Sequence, residues 1–115
     1  MNPETFKITE YSTDKTYGYT EKNPIKVGGM SNSEGPLNER RFLNALTGPN
    51  GEKISYSRLG SCCAFKTRNG SFDNTGLLDK YEIKYEGQEK EIIIYINMYD
   101  KGELKAPVGF KLKYQ

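Results

Sequence analysis

The chain has 115 residues, 17 basic and 15 acidic side chains, a net charge of +2 and no histidine. That length suits a single domain, residues 1–115, with one real core; it is too short for a parallel β/α barrel of about 250 residues. The charge is too near balance to point to nucleic acid or an anionic membrane surface, and nine tyrosines and five phenylalanines mark an ordered chain rather than a disordered one.

Residues 5–11, "TFKITEY", alternate as an early strand with Phe6 and Ile8 on one face. Residues 12–24 are polar and turn-rich and end at Asn23-Pro24, after which Ile25 and Val27 predict a short extended stretch. "GGMSNSEGP" predicts a loop into the main helix, about 36–47. Pro36 suits the first helical position. Leu37, Phe42, Leu43 and Leu46 form the apolar stripe, with Asn38, Glu39, Arg40 and Arg41 mostly off it. "TGPNG" stops the helix, Gly48 being able to take the left-handed closing conformation.

"KISYSRLGSCCAF" predicts a strand with an irregularity at Gly60, and "KTRNGSFDNTG" a loop. In "DKYEIKYEG", Tyr81, Ile83 and Tyr85 alternate with Glu82, Lys84 and Glu86. "GQEK" predicts a hairpin loop into "EIIIYINMY", the most buried strand, with 91–99 antiparallel to 80–86. Asp100 and Glu103 have capping-box spacing for a helical turn in "DKGEL", and Val108, Phe110, Leu112 and Tyr114 alternate as a final strand. The fold class expected is α+β: a twisted, mainly antiparallel sheet of five to six strands with the helix on one face. The longest apolar run, 92–96, is far short of the ~20 residues of a transmembrane helix. The N-terminus has no apolar leader core, which leaves open a cytosolic protein or a Met1 placed after a removed export signal.

The absence of histidine excludes Ser-His, Cys-His and His-metal mechanisms within one chain. Two cysteines alone cannot close a tetrahedral zinc site, so no metal and no cofactor are expected. Lys66, Lys80 and Lys84 sit among polar residues and none stands out as a Schiff-base lysine. Fifteen acids allow a carboxylate pair, but no spacing nominates one. The vicinal Cys62 and Cys63 fall on opposite faces of a strand. A bond between adjacent cysteines is rare, so a reduced pair with at least one buried thiol is expected, ahead of a redox role or a nucleophile. The glycine-rich loop at Gly28-Gly29, a helix start and Arg40 or Arg41 suggest a weak anion site, although a plain turn with solvated arginines explains the same residues. Tyr11, Tyr17 and Tyr19 lie in turn-rich sequence and are binding candidates if exposed, although covering the sheet edge explains them equally.

The stretches "NPIKVGG", "GPLNERRFLNALTGPNGEKISYSRLGSCCAFKT", "GLLDKYEIKYEG" and "IYINMYDKGELKAPVGF" resemble a family of small uncharacterised bacterial proteins found mainly in the Bacteroidetes, over about residues 17–110. Its members often carry the label 2-dehydro-3-deoxyphosphooctonate aldolase and often have a leader or a lipid anchor. The resemblance therefore implies export to the periplasm or cell envelope and brings no catalytic residues. The aldolase label conflicts with the residues: that chemistry belongs to barrels of over twice this length, with phosphate-binding cations that nothing here assembles. The expected function is a non-enzymatic ligand-binding or interaction domain, for an unknown small ligand or protein. The alternatives are a small enzyme using a carboxylate or the Cys62/Cys63 pair, and a structural or assembly subunit.

Overall fold

At the centre of the fold lies the apolar run Ile92–Asn97, flanked on both sides by other strands. The structure, a computed structural model, describes residues 4–70 and 73–113. In chain order its elements are β1 (Ile25–Lys26), α1 (Gly35–Leu43), β2 (Leu46–Thr47), β3 (Ser55–Lys66), β4 (Thr75–Lys84), β5 (Ile92–Asn97) and β6 (Lys111–Leu112), with a 3-10 turn at Met30–Asn32. The main sheet has the order β1-β5-β4-β3, and β2 and β6 form a separate antiparallel pair. The protein is thus α+β, with four strands in the main sheet rather than five or six.

Alternation places the core. Tyr81 and Ile83 of β4 pair with Ile94 and Ile92 of β5, and Ile25 of β1 lies against Ile96 in parallel register. These side chains share one face of the sheet, which packs with Phe42 and Leu43 of α1. Ile94 and Ile96 are 0% exposed. Each such side chain removed from water contributes roughly 1.5–3 kcal/mol before the entropy of ordering is subtracted. The hairpin loop between β4 and β5 is held by Gln88, whose Oε1 accepts from Tyr85 N at 2.7 Å while its Nε2 donates to Lys90 O at 2.9 Å.

β3 pairs with β4 along its whole length and is an edge strand. Its register shifts twice, between Arg58 and Gly60 and between Cys62 and Ala64. The first lies where the sequence predicts an irregularity; the second falls at the cysteines. Two bulges twist a 12-residue edge away from flat pairing with another strand. β4 also starts earlier than expected, since Thr75 and Gly76 of the expected loop, with Leu77 and Leu78 after them, join the ladder. Ser71 and Phe72 of that loop, and Tyr114 of the expected last strand, lie outside the described residues.

Several local expectations are corrected. The helix ends at Leu43, not near 47: Asn44 N still donates to Arg40 O at 2.8 Å, but Ala45 O accepts from Lys113 N at 2.8 Å, and Leu46 continues into β2. Leu46 is buried in either conformation, so burial periodicity alone does not separate them. Gly48 has no left-handed φ and helps close the following turn through Glu52. Residues 5–11 are extended without forming a ladder, because Phe6 N bonds to Arg41 O of the helix and Glu10 O to Ala106 N. The stretch at 100–104 is not helical; the Asp100 carboxylate bonds to other loops instead. The last strand shortens to Lys111–Leu112, because Phe110 N turns back to Pro107 O. Among the described residues no helix is long and apolar enough to cross a membrane.

Candidate functional site

On the sheet face away from α1, a cleft of about 450 Å³ opens where β3, β4 and β5 meet the loop before β1. Leu78, Asn97 and Pro24 are its buried parts, Cys63, Ala64 and Phe65 its wall, and Lys22, Lys26 and Lys66 its basic rim. The alternation of β4 brings Leu78 to this face, opposite Cys62 in the ladder. Phe65 is held by an edge-to-face contact with Tyr99, ring centroids 5.8 Å apart. Gly76 leaves the room for that contact: a Cβ there would come within 2.8 Å of the Tyr99 ring.

Asp100 ties the cleft together. Its Oδ1 accepts from Thr67 Oγ1 at 2.6 Å and Asn69 Nδ2 at 3.0 Å, and its Oδ2 from Asn97 Nδ2 at 3.0 Å. Burial opposes its ionisation, but the hydrogen bonds from Thr67, Asn97 and Asn69 outweigh it and hold the carboxyl below the usual range. Asp100 is a fixed anion, not a proton donor. Glu21 also borders the cleft. Lys22, Lys26 and Lys66 have no carboxylate within 4 Å among the described residues.

The cysteines overturn the expected reduced pair. Cys62 and Cys63 are joined by a disulfide, leaving no free thiol. The bulge makes this possible: Cys63 is the extra residue between the Cys62–Leu78 and Ala64–Leu77 pairs, and its φ of 60° lies in the left-handed region. A regular strand points neighbouring side chains to opposite faces; a bulged one does not.

A second constellation lies under α1, and the sequence reading missed it. Glu39, 1% exposed, accepts from the Tyr81 hydroxyl at 2.9 Å through Oε1. Beside it is the buried Asp79, which meets Arg58 at 2.9 Å and accepts from Ser61 Oγ at 3.0 Å. Burial, then the neighbouring Asp79, pushes the Glu39 carboxyl up to about 9. The Tyr81 hydroxyl is raised as well, by burial and then by Glu39. Glu39 Oε2 has no hydrogen-bond partner among the described residues. A protonated Glu39 beside Asp79 accounts for the group staying buried without a cation of its own. One signal was available: Glu39 stands three and four residues before Phe42 and Leu43, on the same face of the helix.

The other candidates are placed as follows. Arg40 is exposed in the last turn of α1. Arg41 reaches back to Glu34 Oε1 at 3.0 Å and Asn38 Oδ1 at 2.8 Å. Since Glu34 is the N-cap residue, the helix start already has a carboxylate nearby, and the loop closes on itself through Glu34 N to Gly29 O at 2.8 Å. Tyr17 is half-buried, donating to Glu103 O and accepting from Lys105 N. The Tyr19 hydroxyl donates to Val108 O and is pushed up to about 12 by burial and then Tyr85. Both tyrosines pin the 12–24 loop to the C-terminal segment and lie outside the cleft. Tyr11, more exposed, accepts from Leu112 N at 3.3 Å. Among the described residues, no group of three or more carboxylates and cysteines is placed to hold a metal ion. Comparison with protein-family models, curated proteins and solved structures finds no match.

Proposed function

We propose that this domain is a non-enzymatic binding module of the bacterial cell envelope, and that its ligand is a small organic anion with a flat apolar body. The observation that carries the reading is the cleft, walled by Phe65 and Cys63 over a buried Leu78 and rimmed by three lysines with no carboxylate within 4 Å among the described residues, Lys26 feeling the Asp100 charge at longer range. Its one central carboxylate, Asp100, is tied up by three side chains. The disulfide supports an oxidising compartment, in line with the export implied by the family resemblance. Benzoate is a suitable probe, compared with neutral benzyl alcohol and cationic benzylamine. Benzoate is expected to move the backbone amides of Lys22, Lys26 and residues 63–66 at roughly millimolar concentration, while benzylamine leaves them unmoved. Equal shifts with all three probes, or benzoate shifts spread evenly over basic surface, would overturn the reading.

The small-enzyme reading has one observation in its favour, the convergence of Glu39, Asp79 and Tyr81 with a carboxyl titrating near 9. An acid–base residue has to reach its substrate. Glu39 is covered by the helix that carries it, so this cluster is a structural network.

A further inference from the structure

We propose that the Cys62–Cys63 disulfide is a thiol–disulfide exchange site that opens on the cleft and takes small anionic thiols. The inference rests on the cleft described above, but on its sulfur wall and lysine rim and not on occupancy by a carboxylate. Both cysteines are part-exposed, and Cys63 lines the cleft. The cleft is therefore the side from which an attacking thiolate approaches Cys63. Lys22, Lys26 and Lys66 outnumber Glu21 and Asp100 around the same opening, and the net positive field raises the local concentration of thiolate over thiol. The disulfide also stands where the ladder tolerates change. Cys63 has no partner on β4, while Cys62 and Ala64 on either side of it do. Cys63 thus lies between ladder pairs and not within one, with a φ of 60° in the left-handed region.

The chemistry balances with two equivalents of thiol. The first thiolate attacks the Cys63 sulfur, forming a mixed disulfide; the Cys62–Cys63 bond breaks, and its electron pair leaves on Cys62, which takes a proton from water. A second thiolate attacks the incoming sulfur of that mixed disulfide and expels the Cys63 thiolate, which is protonated in turn. The net result is one protein disulfide reduced to two thiols and two small thiols oxidised to their disulfide. The reverse direction re-forms the protein disulfide and reduces a small disulfide to two thiols.

The test exposes the folded, oxidised protein to 2-mercaptoethanesulfonate, 2-mercaptoethanol and cysteamine at equal thiolate concentrations and low salt. Aliquots are quenched with iodoacetamide and weighed intact. Two alkyl groups per chain are expected, with the sulfonate reacting at least about fivefold faster than the cationic cysteamine. That preference should collapse in roughly 0.5 M salt and in the Lys26→Gln, Lys66→Gln double variant. A Cys62→Ser protein treated with the disulfide of the sulfonate should gain one adduct, on Cys63. No alkylation of the folded chain after treatment with any of the thiols, or cysteamine reacting as fast as the sulfonate, overturns the proposal; so do two free thiols in denatured protein never exposed to reductant. Exchange is read by mass and not by saturation, so failure of benzoate to bind leaves this outcome unaffected.

Discussion

Glu39 shows how one side chain sets a pH dependence. In the folded protein its carboxyl titrates near 9, raised by burial and by Asp79, against an ordinary value of 4.5. Between those values the native state holds a proton that the unfolded chain has lost. Stability therefore falls as pH rises through that window, by at most about 1.4 kcal/mol per pH unit for this group. Glu39→Gln keeps an acceptor for Tyr81 and a donor toward Asp79 without an ionisable proton. It is expected to flatten the stability profile from pH 5 to 8 and to match or exceed wild-type stability by about 1–3 kcal/mol at pH 8. Urea unfolding at several pH values checks this, and a profile of the Glu39→Gln protein parallel to wild type would refute it. Below pH 4 neither protein should gain or lose stability through this position as the pH changes.

Among the elements, β5 lies at the centre of the core. It sits between β1 and β4, and both Ile94 and Ile96 are fully covered by α1 and its neighbours. Ile94→Ala leaves a cavity in the cluster that also holds Phe42 and Leu43 and should cost about 2–5 kcal/mol. A loss below ~1 kcal/mol in denaturant unfolding would make β5 peripheral. β3 is the contrasting case. It shares β4 as a pairing partner, but its bulges expose Leu59 at 52% and bring the cysteines together. The irregular edge strand builds the cleft, while the regular strands hold it in place.

At the scale of the whole molecule, the architecture is α+β and the main sheet mainly antiparallel. Three of the four main-sheet strands are antiparallel neighbours, and one helix covers one face. Among the described residues the strands form no closed parallel barrel. Purified protein is expected to show no condensation of phosphoenolpyruvate with arabinose 5-phosphate, followed by loss of phosphoenolpyruvate absorbance. Turnover that a single substitution in this chain abolishes would reverse that expectation.

By itself the sequence determined the fold class, the β4–β5 hairpin and the helix face bearing Phe42 and Leu43. Those features follow from local periodicity, which reports how often a residue meets the core. Periodicity is silent on which elements meet. The parallel pairing of β1 with β5 joins residues about 70 positions apart, and no local pattern announces it. Glu39 read as a solvated residue because charge is normally excluded from cores; only Asp79 and Tyr81, brought under the helix by β4, made a protonated carboxyl acceptable there. Arg40 and Tyr17 looked like surface groups for a ligand, and tertiary packing left the first exposed beyond the cleft and used the second to fasten a loop. The cysteines are the sharpest case. A regular strand separates neighbouring sulfurs, and the bulge that unites them comes from the register of β3 against β4, which the tertiary structure alone decided.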